Sequence, residues 1–318
     1  MRGARRLAIA ACALALGAAA QGLHPPFESV ALGELRWLGR LDEPAELLAR
    51  PARDLVRPMS EEAALGELLF RSPWLLGGAA RRLALSCDTC HPQGHRNARF
   101  FFPGVSDRPG TFDPTNAVFN PAKDDGHFAP LDIPSLRGAA ARVAFGQSAR
   151  EPSLGEFVRV VIVDEFAGEA PSEAALAALV AYVSAIGETT RPEEDASLED
   201  DVARLGRSVR LIAPLLDKGE VPLAQLAVAS VRSELGRLHE RFAAETLAIE
   251  REILEGMALA LGAVADAIET GEIAEAKARL GTWLVAFEDF DRDWLLAAEA
   301  ETLYAPEGLA RFLNTRRP

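Results

Sequence analysis

The stretch Leu85-Ser86-Cys87-Asp88-Thr89-Cys90-His91-Pro92-Gln93-Gly94-His95 contains two of the three cysteines of the chain, with a histidine directly behind the second. Two thiols separated by two residues can reach the two vinyl groups of a haem, and the adjacent histidine can turn under the macrocycle as an axial ligand of the iron. The motif therefore predicts one covalently bound haem c. Cys87 and Cys90 are then the attachment sites and His91 is the proximal iron ligand.

Three other chemistries use two cysteines at this spacing, and each fits the sequence less well. A structural zinc site normally takes four Cys or His ligands, and only His91, His95 and His127 could complete such a set. A thioredoxin-like dithiol would follow a strand in a βαβ context, which the surrounding pattern does not show. A disulfide closing so small a loop would constrain the unfolded chain little.

The first twenty residues have the features of an export signal. Three arginines precede an apolar run, and the small residues at 18–20 form a cleavage pattern before Gln21. We expect the mature protein to reside in the periplasm. Lipoprotein anchoring through Cys12 is a weaker alternative, because the apolar run before this cysteine is short. The mature sequence shows no stretch long and apolar enough to predict a transmembrane helix.

The charge balance limits the partners of the protein. The chain has 318 residues and a formal net charge of -13. An acidic surface disfavours nucleic acid, whose phosphates attract basic proteins, so no nucleic-acid partner is expected. The same surface suits a basic redox partner protein, such as a soluble cytochrome.

The pattern predicts an all-α protein with a haem domain, which the resemblance described below implies to be of the cytochrome c type, followed by an antiparallel helical bundle. The loop-rich region 92–153 is long for a compact domain and would suit a chain that wraps around a haem. Beyond residue 201, apolar residues recur at steps of three and four, which is typical of packed amphipathic helices. The predicted segments are a signal peptide at 1–20, an N-terminal arm at 21–58, the haem domain at 59–190, an acidic linker at 191–201 and the bundle at 202–318.

The sixth ligand of the iron decides whether the haem only carries electrons or also binds a small oxidant. His127 and Met59 are the candidate distal ligands, and an open or water-occupied position is an equal alternative. His127 and Glu165 are weak candidates for a catalytic acid or base near a bound oxidant.

Four stretches together resemble the bacterial di-haem cytochrome c peroxidase family, which includes the MauG-like enzymes. They are Leu65–Phe70, Leu85–His91, Ile133–Gly138 and Pro152–Val158. The resemblance covers about residues 60 to 188. It implies a cytochrome c fold in which the first and last helices cross, with Phe70 and Tyr182 near the crossing. It also implies peroxide reduction or haem-mediated electron transfer.

The chain departs from that family at the sites of its chemistry. It carries one Cys-x-x-Cys-His motif where the family has two, and Phe145–Ser148 stands where relatives read Phe-His-Asp-Gly. We therefore expect an exported mono-haem c-type cytochrome that transfers electrons. One alternative is a peroxidase-like oxidoreductase that reduces hydrogen peroxide with electrons from a cytochrome partner. The other is a haem-based redox sensor or assembly module.

Overall fold

A computed structural model of the chain describes residues 60–146, 151–187 and 196–315. The protein is predominantly helical, which confirms the all-α class. The described residues up to Ala196 belong to one compact unit, the first unit, and those from Ser197 belong to a second unit. The expected signal peptide, the N-terminal arm and Met59 lie outside the described residues. Within the described ranges, no helix has the length and apolar character needed to cross a membrane.

The first unit combines helices with one small antiparallel sheet. Its α-helices are α1 Glu61–Phe70, α2 Gly78–Arg82, α3 Cys87–Cys90, α4 Leu154–Val160 and α5 Glu173–Ala185. Its strands are β1 Thr111–Phe112 and β2 Leu131–Asp132, which pair Thr111 with Asp132 and Phe112 with Leu131. A π-helical turn, Val161–Glu165, continues α4, and 3₁₀ turns cover Pro92–Gly94, Pro121–Lys123 and Ala139–Ala141.

Serine caps fix where three of these helices begin. The hydroxyl of Ser60 accepts the N–H of Ala63 at 3.1 Å, at the start of α1. Ser153 and Ser172 make the equivalent bonds at the starts of α4 and α5. Each cap satisfies a backbone donor that the first turn of a helix leaves unpaired, so the chain enters its helices at defined residues.

Helices α1 and α5 form the main contact of the first unit. The helices approach so closely at Gly66 that a Cβ there would lie 1.9 Å from the carbonyl oxygen of Ala178. One turn further on, the rings of Phe70 and Tyr182 lie with centroids 5.2 Å apart, at the position that the family resemblance implied. Both aromatic side chains are buried, so this contact joins the two ends of the unit through apolar area and ring packing.

An aromatic cluster joins the loop region between α3 and α4 to Phe166, which follows the π-helical turn. The rings of Phe112, Phe119 and Phe166 contact one another in pairs, with centroids 5.4 to 5.5 Å apart. Phe100 and Phe102 extend this cluster. Aromatic packing therefore organises part of this region within the protein itself.

The second unit consists of seven α-helices among the described residues. They are α6 Leu198–Arg210, α7 Ile212–Asp217, α8 Val221–Arg241, α9 Ala248–Glu269, α10 Ile273–Ala286, α11 Arg292–Ala297 and α12 Pro306–Thr315. A π-helical turn, Phe287–Asp291, connects α10 to α11. The most extensive helix contacts join α8 to α9 and α9 to α10, and their shared core is apolar.

The expected acidic linker at 191–201 ends earlier than its composition suggests. Residues 198–201 form the first turn of α6, while 191–195 lie outside the described residues. Ser197 and Asp200 cap this helix reciprocally, because the Ser197 hydroxyl accepts the Asp200 N–H and the Asp200 carboxylate accepts the Ser197 N–H. Acidic residues stabilise a helix N-terminus, so Glu199, Asp200 and Asp201 belong to a helix start.

Candidate functional site

The two thiols lie on a single short turn of helix, α3. The N–H of Ser86 donates to the hydroxyl oxygen of Thr89 at 3.0 Å, and the N–H of Thr89 donates back to the carbonyl of Ser86 at 3.0 Å. The side chain of Asn97 donates to the carbonyl of Thr89 at 2.8 Å, which anchors the end of the turn. These bonds hold Cys87 and Cys90 at one helical turn of separation.

Asp88, between the two cysteines, ties the motif to the rest of the unit. One carboxylate oxygen accepts the backbone N–H of Gln93 at 2.8 Å. The other accepts from the guanidinium of Arg71 at 3.3 Å, just beyond the end of α1. The Asp88 and Arg71 side chains are 14% and 9% exposed, so this ion pair is largely shielded from water. Asp88 therefore links α1, α3 and the turn that follows His91.

The imidazole of His91 is oriented by a backbone carbonyl. Its Nδ1 lies 2.9 Å from the carbonyl oxygen of Pro134. A carbonyl can only accept, so Nδ1 carries the proton and Nε2 presents its lone pair. Backbone bonds on both sides fix the carbonyl, from Ile133 N–H to Gly110 O at 3.0 Å and from Leu136 N–H to Gly94 O at 2.9 Å.

The protonation states of the motif follow from its burial. Burial lowers the pKa of His91 to about 4, against the opposing effects of the Pro134 hydrogen bond and Asp88, so the ring is neutral near pH 7. Burial also raises the pKa of Cys87 to about 12, with Asp88 adding to the effect, and raises the pKa of Cys90 further. A redox-active dithiol needs a depressed thiol pKa, so these two thiols have the opposite property.

The two cysteines are free thiols and do not form a disulfide. Cys87, Cys90 and His91 are half-buried in the first unit. Two unbridged thiols and one neutral imidazole with a fixed Nε2 lone pair are the donor set that covalent haem c requires, so the residues fit this group.

Glu165 is a half-buried carboxyl whose charge acts on the two thiols. It ends the π-helical turn that continues α4, and π-turns inside helices often occur at functional sites. Burial, followed by the nearby charge of Asp164, raises the pKa of Glu165 to about 7. Glu165 in turn acts electrostatically on both Cys87 and Cys90. Among the described residues, the Glu165 carboxyl has neither a hydrogen bond nor an ion pair.

Two tight backbone approaches fix the position of this glutamate. The N–H of Gly77, just before α2, donates to the carbonyl of Phe166 at 3.1 Å. A Cβ on Gly77 would lie 1.9 Å from the carbonyl oxygen of Ala167, and a Cβ on Gly168 would lie 2.9 Å from that of Leu75. The segment that leads into the motif and the segment that carries Glu165 are therefore in direct contact.

His127 and His95 make contacts other than the hydrogen bonds that hold the motif. His127 is exposed in the loop that follows Asp124, where its N–H donates to Asp125 at 2.8 Å. His95 contacts Arg137, with 3.0 Å between the His95 Nδ1 and an Arg137 terminal nitrogen. Within the described ranges, no three Cys, His, Asp or Glu side chains are placed to hold a metal ion, so the zinc set is not assembled.

The sequence did not reveal which residues orient Asp88 and His91. Nothing in the local pattern marks Arg71 as the ion-pair partner of Asp88, because seventeen residues separate them. The carbonyl of Pro134 carries no side-chain signal at all. The segment Ile133–Gly138 is part of the family resemblance, which was the only available hint of its importance.

Comparisons of the whole chain with protein-family models, with curated proteins and with solved structures find no match.

Proposed function

We propose that the chain is an exported mono-haem c-type cytochrome that transfers electrons in the periplasm. The observation that supports it most is the geometry at His91. The Nδ1 hydrogen bond to Pro134 leaves Nε2 unprotonated, with a lone pair that can bind a metal, beside two unbridged, half-buried thiols. No other predicted chemistry of this motif uses all three groups in these states.

When bound, haem c would supply a one-electron Fe(III)/Fe(II) couple. The residues of the chain would hold and tune it. Cys87 and Cys90 would attach it covalently, and His91 would bind the iron through Nε2. Pro134 would keep the imidazole in the binding orientation, and Asp88 would keep the thiols and the imidazole in register through Arg71 and Gln93.

The proposal is tested by expressing the full chain, with its N-terminal segment, in a bacterium that matures c-type cytochromes. We expect the purified protein to retain haem on a denaturing gel and to show ferric and ferrous cytochrome spectra. Cys87→Ala and Cys90→Ala should each reduce or abolish haem that survives denaturation. His239→Asn is the matched control, because this histidine belongs to the second unit and contacts Glu255 instead.

A wild-type protein without covalent haem, produced in a host that loads a known c-type cytochrome, would contradict the proposal. So would a Cys87→Ala, Cys90→Ala double variant that keeps denaturation-resistant haem. Export is tested separately by cell fractionation and by the N-terminal residue of the mature protein, expected near Gln21. A lipid-modified N-terminus at Cys12 would replace the soluble periplasmic form by an anchored one.

A peroxidase activity is the second candidate function, and Glu165 is the observation that favours it. A carboxyl with a pKa near 7 beside the cofactor could give and take protons as hydrogen peroxide is reduced to water by two electrons and two protons. Ferric protein whose spectrum changes with cyanide or peroxide, and which oxidises a reduced cytochrome when peroxide is added, would favour this candidate. His127→Asn tests whether the exposed histidine reaches the iron, because loss of a sixth ligand would change the ferric spin state.

A further inference from the structure

Gln93, two residues beyond His91, buries a side-chain amide that no described residue satisfies. The residue is 1% exposed, and neither Oε1 nor Nε2 of its amide has a hydrogen-bond partner among the described residues. An unpaired polar group in a protein interior is destabilising, and folded proteins pair nearly all such groups. An amide with both its donor and its acceptor end unpaired therefore points to a polar group that the chain itself does not supply.

The backbone of Gln93 is held in a conformation that a residue with a side chain rarely adopts. Its φ of 52° and ψ of 34° lie in the left-handed region. The Gln93 N–H donates to a carboxylate oxygen of Asp88 at 2.8 Å. A Cβ on the next residue, Gly94, would lie 2.8 Å from Cδ1 of Ile186. Such a backbone persists where the surrounding contacts impose it, so the fold itself places this amide in the interior.

The contacts that fix Gln93 also fix the donor set of the motif. Asp88, which accepts from Gln93, lies between the two cysteines. The Gly94 N–H donates to the carbonyl of His91 at 2.8 Å, and the Gly94 carbonyl accepts the N–H of Leu136 at 2.9 Å. Leu136 lies two residues from Pro134, whose carbonyl orients the imidazole of His91. Gln93 and the proposed iron ligand are therefore held by the same two segments.

We propose that Gln93 is a cofactor-binding residue whose side-chain amide forms a hydrogen bond with a propionate carboxyl of the haem. The inference rests on the proposed cytochrome function and deepens it. The polar groups at the edge of a haem are its two propionates, and a carboxyl brought into a protein interior needs a hydrogen-bonding partner. An amide meets both forms of a carboxyl, because Nε2 donates to its oxygens and Oε1 accepts from its O–H when it is protonated.

The first measurement is the resonance Raman spectrum of the purified holoprotein, in which the propionate-bending band reports hydrogen bonding to the carboxyl. Gln93→Met has a side chain of similar length, keeps the backbone bond to Asp88 and removes only the amide. Its band should move to lower frequency, because the carboxyl loses a donor. Gln225→Met is the matched control, because this half-buried glutamine lies on α8 of the second unit, and its band should match the wild type.

The second measurement places the amide relative to the iron in the wild-type protein. The proton NMR signals of the Gln93 amide are assigned by their absence from Gln93→Met. They should shift between the ferric and ferrous forms, because unpaired electrons on the iron displace the signals of nearby nuclei. The Gln225 amide signals should not shift.

Buried water is the other group that can satisfy such an amide, and the two measurements exclude or establish it. Loss of a hydrogen bond should make the unfolding equilibrium constant of Gln93→Met about tenfold larger in urea with either partner. This loss combined with an unchanged Raman band means that the amide binds water, and it overturns the proposal. Gln93 amide signals that ignore the oxidation state of the iron also overturn it.

Covalent haem is measured first on the same samples. A wild-type protein without it defeats the proposed function itself, whereas full haem with an unaltered band defeats only the role of Gln93. If Gln93→Met does not load haem, Gln93→Asn replaces it, because asparagine tolerates the left-handed backbone and its amide is one methylene shorter. Its propionate band should also move to lower frequency, and a wild-type band in this variant contradicts the proposal.

Discussion

Replacement of Asp88 tests whether its carboxylate organises the turn that holds Cys87 and Cys90. In Asp88→Ala the buried N–H of Gln93 loses its acceptor and Arg71 loses a shielded anionic partner. Gln93 is 1% exposed, so water does not replace the lost acceptor easily. A hydrogen bond to a charged group contributes about 1.5–3 kcal/mol, and two such contacts are lost at once. We expect Asp88→Ala to lower the free energy of unfolding of the first unit by about 3–5 kcal/mol.

Asp88→Asn separates the two contacts. The amide oxygen can still accept from Gln93, while the ion pair with Arg71 is lost, so the expected cost is smaller, about 1–2 kcal/mol. Asp124→Ala is the matched control, because Asp124 is exposed and accepts only a local N–H from Gly126 at 3.1 Å. Its effect should stay within about 0.5 kcal/mol.

The assay is urea unfolding followed by hydrogen exchange in peptides that cover α1 and α3, so that the first unit is observed by itself. The fraction of covalent haem is measured in the same preparations. It should fall in the order wild type, Asp88→Asn, Asp88→Ala, since the thiols and His91 lose their common anchor. Asp88→Ala with wild-type stability and full haem content would refute the view that this carboxylate organises the turn.

Two further predictions concern the same unit. Gly66→Ala should lower the free energy of unfolding by about 2 kcal/mol, because relieving a 1.9 Å approach to Ala178 costs more than the gain in helix propensity. Gly155→Ala is the control, because a Cβ there would make only ordinary contacts, at 3.7 Å. In urea unfolding, its free energy of unfolding should be unchanged or slightly higher. In the haem-free protein, the raised pKa of Glu165 favours folding below its unfolded pKa of about 4.5, and this stabilisation is lost as pH rises to about 7. Urea titrations across that range should show the loss in the wild type and not in Glu165→Gln, and identical profiles would contradict the burial argument.

The relative placement of Cys87, Cys90 and His91 could be predicted because these residues are contiguous in the chain. Cys87, Cys90 and His91 fall on one turn and the residue behind it, so their spacing alone specifies which atoms can meet. The helix starts were equally predictable. Ser60, Ser153 and Ser172 are followed by acidic residues and apolar periodicity, and the structure has helices beginning at each.

The loop region shows why composition was a poorer guide. Its many Pro, Gly, Asn and Asp residues predicted loops correctly, but the five phenylalanines of the aromatic cluster, one of which lies beyond this region, are spread along the chain without a helical or strand period. Their pairing into one cluster depends on turns that bring Phe112, Phe119 and Phe166 together. Periodic patterns report regular elements only, so an irregular core of this kind was not visible before the structure.

By itself, the sequence determined the all-α class, the helix starts and the donor set of the motif, because each depends on residues that are neighbours in the chain. The tertiary structure alone decided how those donors are held. Asp88 meets Arg71 across seventeen residues and His91 meets Pro134 across forty-three. Contacts across some ninety residues hold the segment that follows Glu165 against Gly77. These contacts set the tautomer of His91 and the proton affinities of the site, since burial and partner geometry arise only when distant segments pack together.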